Sequence, residues 1–164
     1  MGYTHFDQVS GINGVGVGSK GNEVMAIDPN GNLLQNDNAV VFNHRTRVTA
    51  AQVNAGVEIL PAIAGKAYRL VDFTIIAIGG AATDNTATEL RGTRATAALI
   101  LASIARANFT RSALLKPDST GVTVLADGTS HTPLDANTAI TLINDGAAMT
   151  GATHVDVIIS GVIE

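Results

Sequence analysis

Residues 95–108 read ATAALILASIARAN, and the fold class turns on whether they form a helix or a strand. Alanine and leucine favour helix by intrinsic propensity. Ala97, Ile100, Leu101, Ile104 and Asn108 even make a helical stripe. The same residues also alternate. Leu99, Leu101, Ser103 and Ala105 share one face of an extended chain, and Ile100, Ala102 and Ile104 share the other. Propensity does not separate the two readings, so the neighbourhood must. Tertiary context overrides intrinsic preference in sheets, and the segments around 95–108 read as strands.

Working outward, Val57–Leu60 is a short apolar run ended by Pro61. Tyr68–Ile78 is a long β-rich run stopped by Gly79-Gly80. Val71, Phe73, Ile75 and Ala77 lie on one face, with Tyr68, Leu70, Ile76 and Ile78 on the other. Apolar character on both faces predicts a strand covered on both sides, in part by another chain. Residues 86–91 and 122–126 are shorter strand candidates. Residues 139–143 precede an expected turn at Asn144-Asp145-Gly146. Val155, Val157 and Ile159 alternate with His154, Asp156 and Ser160, the pattern of a half-buried strand. Short strands separated by Gly and Asn turns predict an all-β, jelly-roll-like β-sandwich over residues 57–164.

Residues 1–56 read differently, as an extended N-terminal arm ending in a linker helix. The arm is rich in Gly and Asn and poor in large apolar residues. Such a segment does not order itself by burial and is expected to find its partner on another chain. Asp28-Pro29-Asn30-Gly31 fits a type I turn, with residues 23–27 and 32–35 as a small hairpin. Thr49-Ala50-Ala51-Gln52 is a capping box, and Gly56 suits the position just past a helix end. A short helix at 50–55 is expected, acting as a hinge between arm and body.

Composition narrows the function. A chain of 164 residues without cysteine or tryptophan forms neither disulfides nor thiolate metal sites. Its net charge of −4 does not favour phosphate-backbone binding. Arg91, Arg94, Arg106 and Arg111 are scattered among apolar positions and read as solvated or interface arginines. The opening MGYTHFDQ lacks the basic-then-apolar pattern of a signal peptide. The longest apolar run, at 95–105, is too short to span a bilayer. No nucleic acid and no membrane are expected as partners.

The motifs that invite chemistry fail on inspection. Gly16-x-Gly18-x-x-Gly21 matches the dinucleotide fingerprint literally. No buried strand precedes it, and Asp28-Pro29 blocks a following helix. Lys20 is followed by Gly21 where a phosphate loop needs Ser or Thr. His5, His44, His131 and His154 show no ligand spacing. Asp127-Gly128-Thr129 and Asp135-Ala136-Asn137 lack the acidic series of a calcium loop and read as turns. No nucleophile, base and oxyanion site assemble. The expectation is a non-enzymatic protein with no catalytic, cofactor-binding or metal residues.

Several segments resemble tailed-bacteriophage virion proteins. They are YTHFDQVSGINGVGVGSKGNEV at 3–24, VTAAQVNAG at 48–56, LPAIAGKAYRLVD at 60–72 and AIGGAA at 77–82. VLADG at 124–128, NTAI at 137–140 and ATHVDV at 152–157 complete the set. Together they resemble phage head decoration, or cement, proteins with a jelly-roll body. The resemblance implies a homotrimer that binds the major capsid protein on the outer surface of the virion and stabilises the shell. It supplies no catalytic residue. The alternative within the same resemblance is a head-fibre or tail-fibre protein that binds a receptor or glycan.

Overall fold

The computed structural model describes residues 15–19, 22–27, 33–35, 39–126, 128 and 131–164, with side chains from Val41 onward except those at 127, 129 and 130. The described chain is mostly β. Strands β1 (Val15–Ser19), β2 (Asn22–Ile27), β3 (Leu33–Gln35) and β4 (Ala39–Thr49) precede helix α1 (Ala50–Ala55). Then come β5 (Val57–Leu60), β6 (Tyr68–Ile78), β7 (Thr83–Arg94), β8 (Ala97–Ala105), β9 (Val122–Val124), β10 (Ile140–Thr150) and β11 (His154–Ile163). A single 3₁₀ turn, Arg106–Asn108, follows β8.

The strands form two antiparallel sheets in a sandwich-like body. One runs β1-β2-β3-β4-β11-β6 and the other β5-β10-β7-β8-β9. Residues 111–115 run along the outer edge of β6. The Leu115 carbonyl accepts from the Ile75 N–H at 2.9 Å, and the Ile75 carbonyl accepts from the Leu115 N–H at 3.0 Å. The pairing is therefore nested: β4 with β11, β5 with β10, β6 with 111–115, and β7 with β8. Between the sheets lies one core, centred on fully buried Leu90, Ile104, Phe109, Ile140, Leu142 and Ile159.

Residues 97–105 are a strand, as the neighbourhood argument predicted. The β7–β8 turn holds Ala95 at φ 50° and Thr96 at φ 64°, two successive left-handed residues that match the right-handed twist of a tight hairpin. Neither is glycine, so the turn needs support. The Asp135 carboxylate gives it, accepting from the Ala95 N–H at 3.0 Å and the Thr96 N–H at 2.9 Å. Asp135, read from sequence as part of a turn, also clamps this second turn.

The capping box forms as expected. The Thr49 hydroxyl accepts from the Gln52 N–H at 3.1 Å, and the Gln52 side chain accepts from the Thr49 N–H at 2.8 Å. Gly56 sits at φ 79° past the helix end. Residues 22–27 and 33–35 pair antiparallel, in line with the expected hairpin, while its turn at Asp28–Gly31 lies outside the described residues.

Four expectations need correction. The division at residue 56 cuts through the packed body. Strand β4 pairs with β11 from Val40 to Thr49 and buries Phe42 and Val48. Helix α1 is accordingly a corner between two body strands and not a hinge. The Asn54 side chain fixes it to β10, accepting from the Met149 N–H at 2.8 Å and donating to the Met149 carbonyl at 3.1 Å. Asn144-Asp145-Gly146 is no turn; it lies inside β10 at a bulge, with Gly146 at φ 79°. A Cβ there would lie 2.4 Å from the Thr86 hydroxyl, so glycine is required twice over.

The last correction concerns the two-sided strands. In β6 the register shifts so that Asp72 opposes Ser160 while Leu70 opposes Gly161, leaving Val71 unpaired. The extra residue moves Tyr68 and Leu70 onto the same core face as Phe73, Ile75 and Ala77. In β8, Leu101 is the unpaired residue, and Leu99, Leu101, Ala102 and Ile104 are all buried. Bulges thus gather apolar residues that a regular strand would divide between two faces.

The pairing of β4 sets a testable limit on truncation. A chain beginning at Ala39 keeps a cooperative thermal transition and a β-rich circular dichroism spectrum. A chain beginning at Val48 loses the β11 edge partner together with Phe42, and is expected to lose that transition.

Candidate interaction surface

With the apolar core between the sheets, the remaining polar and apolar side chains lie on the two outer faces. On the β4-β11-β6 sheet the registers align Thr49–His154–Ile78, Arg47–Asp156–Ile76, Arg45–Ile158–Thr74 and Asn43–Ser160–Asp72. Ile76, Ile78 and Ile158 are half-buried among their neighbours. Val41 and Val71 are exposed at one end of this sheet.

Asp156 stands at the centre of this face, yet only 6 % of it is exposed. Its carboxylate is gripped by the Arg47 guanidinium, with Nε at 2.5 Å from Oδ1 and one terminal nitrogen at 2.8 Å from Oδ2. Arg45 lies 4.0 Å from Oδ2. The hydrogen bond from Arg47 holds the Asp156 carboxyl below its ordinary value of 3.8, against the opposing effect of burial. The same contact raises the Arg47 guanidinium.

The opposite sheet repeats the arrangement. Glu89 is 6 % exposed on the outer face of β7. Oε2 accepts from Arg91 at 2.5 and 2.7 Å, and Oε1 accepts from the Ser103 hydroxyl at 3.3 Å. Around the pair lie Ala87, Ala105, Ile100 and Ile143, which neighbour it in register. Each outer face therefore carries a buried carboxylate paired with an arginine, set among small and apolar residues on the second sheet and among Ile76, Ile158, His154 and Arg45 on the first.

The residues singled out in the sequence do not converge. Strand β1, which carries Gly16 and Gly18, is followed by antiparallel β2 and not by a helix. His44 is half-buried on β4, His131 is exposed, His154 is half-buried on β11, and His5 lies outside the described residues. Asp127 and Thr129 also lie outside them. Arg91 serves Glu89, Arg94 donates to the Pro133 carbonyl at 2.6 Å, and Arg106 and Arg111 are exposed. Among the described residues no group of three or more acidic or histidine side chains is placed to hold a metal.

A small, partly open pocket lies between the two bulges, lined by Val71, Phe73, Leu101, Val124 and Thr132 among others. Its volume of about 10 Å³ admits one water and no larger ligand. The Thr132 hydroxyl is buried without a partner.

Sequence reasoning missed both ion pairs. Glu89 and Arg91 carry a local signal, since residues two apart share one face of a strand. Arg47 and Asp156 carry none, being 109 residues apart. Comparison with protein-family models, with curated proteins and with solved structures finds no match for this chain.

Because folding lowers the Asp156 value, the Arg47 pair stabilises the fold above the ordinary aspartate value. That contribution is lost as pH falls through the folded-state value. Thermal melts between pH 7 and pH 2 are expected to show a steeper acid loss for the natural chain than for Asp156→Asn. Arg47→Met is expected to destabilise more than Asp156→Asn at pH 7, because it strands a buried carboxylate while the asparagine leaves only an exposed arginine unpaired. Equal melting temperatures for the two variants would count against the pair.

Proposed function

We propose that the protein is a capsid decoration, or cement, protein of a tailed-phage head. In this reading it is a homotrimer that binds the major capsid protein on the outer surface of the shell and stabilises it across subunit seams. The observation that carries the reading is the nested pairing. Taking β4 as first and β11 as last, first pairs with last and so on inward to the adjacent β7 and β8. This is the order of a double-sheet jelly roll, an architecture used by viral capsid and lectin domains. The segments resembling decoration proteins support the same reading.

The outer faces suit such a role physically. An interface desolvates whatever it covers, and unpaired charges are the costly part. Here the central charges are already paired. A standard interface covers about 800 Å² per partner, and at about 25 cal/mol per Å² of apolar area even modest burial adds up when repeated over a shell. Trimeric attachment strengthens it further through avidity.

The fibre reading draws less support. Sugar binding by such folds uses exposed aromatic rings for stacking. Phe42, Tyr68, Phe73 and Phe109, the aromatic residues with described side chains, are all buried.

Light scattering on the purified protein is expected to give three times the chain mass; a stable monomer at micromolar concentration would sink the trimer. Particles with and without the protein, heated while DNA release is followed, test the function. Earlier release from undecorated particles is expected, since a layer that binds only intact shell stabilises it by mass action. Identical release curves with impaired host attachment would transfer the case to the fibre reading.

A further inference from the structure

Strand β10 loses step with β7 where the chain reads NDGAAMT, residues 144–150. Asp145 opposes Ala87, Gly146 opposes Asn85, and Thr150 opposes Thr83. Counting on from Asp145 in a regular ladder, Met149 would stand opposite Thr83. The strand is therefore one residue longer than the stretch of β7 it spans. That residue decides a face. Opposed residues share one face of a sheet. Thr83 is exposed and Met149 is buried, so the regular ladder would turn Met149 out of the core. Gly146, Ala147 and Ala148 are exposed and carry at most a methyl group, so they give no pattern to set the register.

A row of polar side chains spans the irregular stretch. From β7, the buried Thr88 hydroxyl donates to Asn144 Oδ1 at 2.9 Å, and the buried Asn85 Nδ2 donates to the same oxygen at 3.3 Å. Asn144 in turn donates through Nδ2 to Asn54 Oδ1 on α1. That oxygen also accepts from the Met149 N–H at 2.8 Å, and Asn54 Nδ2 donates to the Met149 carbonyl at 3.1 Å. Donors from Asn144 and Met149 thus converge on one atom. At normal hydrogen-bond lengths they lie within about 6 Å of each other. Five residues of extended strand cover about 17 Å, and the Asn144 side chain closes only part of the difference. The stretch between them has to bow outward.

We propose that Asn54 is the gauge of this excursion. By holding Asn144 and Met149 at once, it admits the extra residue and selects the register at the end of β10. The inference is independent of the decoration reading. Single polar residues fix register in this way in coiled coils. Removing the Asn54 amide takes its hydrogen bonds from the Met149 backbone, beside a side chain that is 2 % exposed. Backbone groups in such a place require partners, and the regular ladder against β7 becomes the competing arrangement. The rival explanation is that burial of the Met149 side chain sets the register by itself.

The chain has no cysteine, so introduced pairs report register directly. Thr83→Cys with Thr150→Cys joins residues that face each other in the observed register, where their hydroxyls are 2.8 Å apart. Thr83→Cys with Met149→Cys traps the regular ladder. Each chain is oxidised, and its internal disulfide is read by mass spectrometry after proteolysis. The bond between positions 83 and 150 is expected in the otherwise natural chain, and the bond between 83 and 149 is not. Adding Asn54→Ala is expected to reverse that preference. Asn54→Asp keeps the oxygen that accepts from Asn144 and Met149, and is expected to retain the 83-to-150 bond. Met149→Ala separates the gauge from its rival, because Asn54 holds only the backbone at that position. Retention of the 83-to-150 bond in Met149→Ala is expected. Its loss there would give the register to the methionine side chain and overturn the proposal. An unchanged preference in a folded Asn54→Ala chain would overturn it too. Where Asn54→Ala does not fold, Asn54→Asp and Met149→Ala still decide, since loss of the 83-to-150 bond in either counts against the gauge.

Discussion

The fold depends on the two-sided pairing of β11. It is hydrogen-bonded to β4 on one side and β6 on the other along its length. Its inward side chains Val155, Val157, Ile159 and Ile163 supply a continuous wall of the core. Each partner lies far away in sequence, with Arg47 and Asp156 109 residues apart. The sheet therefore closes only through long-range pairing, whose loop-closure entropy must be met before contacts reward it. The nested order limits the difficulty. The β7–β8 hairpin is the most local pair, and each further pair of the nest encloses the one inside it.

What was legible in the sequence follows from this. Local signals were readable. The Thr49–Gln52 capping box, the Val155-Val157-Ile159 alternation and the strand at 97–105 all stand in the structure. The misses share one cause, pairing partners that a linear reading does not see. Strand β4 reads as part of the arm because its inward set, Phe42, His44, Thr46 and Val48, makes no apolar stripe in the linear sequence. Its place in the sheet comes from β11. The bulges at Val71 and Leu101 are register shifts against a partner, so the two strands read as two-sided although one face takes most of their apolar residues. Gly146 looked like a turn for the same reason. A left-handed glycine serves a turn or a bulge equally well, and only the neighbouring Thr86 and Asn85 decide between them.

The bulges also change the argument for association. Two-sided apolar strands imply surplus surface that another chain must cover, but the shifts move most of it inward. What remains outside is modest: half-buried Ile76, Ile78, Ile100, Ile143 and Ile158, with Val41 and Val71 exposed at the rim. In the decoration reading proposed above, attachment would then draw less on bulk hydrophobicity than on complementarity, as in interfaces generally. The paired charges matter here. A carboxylate already held by two guanidinium nitrogens has lost most of its hydration before any partner arrives, so covering Asp156 or Glu89 adds little desolvation cost. Arg45 differs, since its nearest carboxylate is 4.0 Å away and already taken by Arg47. It retains both charge and exposure, so in the decoration reading it is the group on this face that would sort partners by sign.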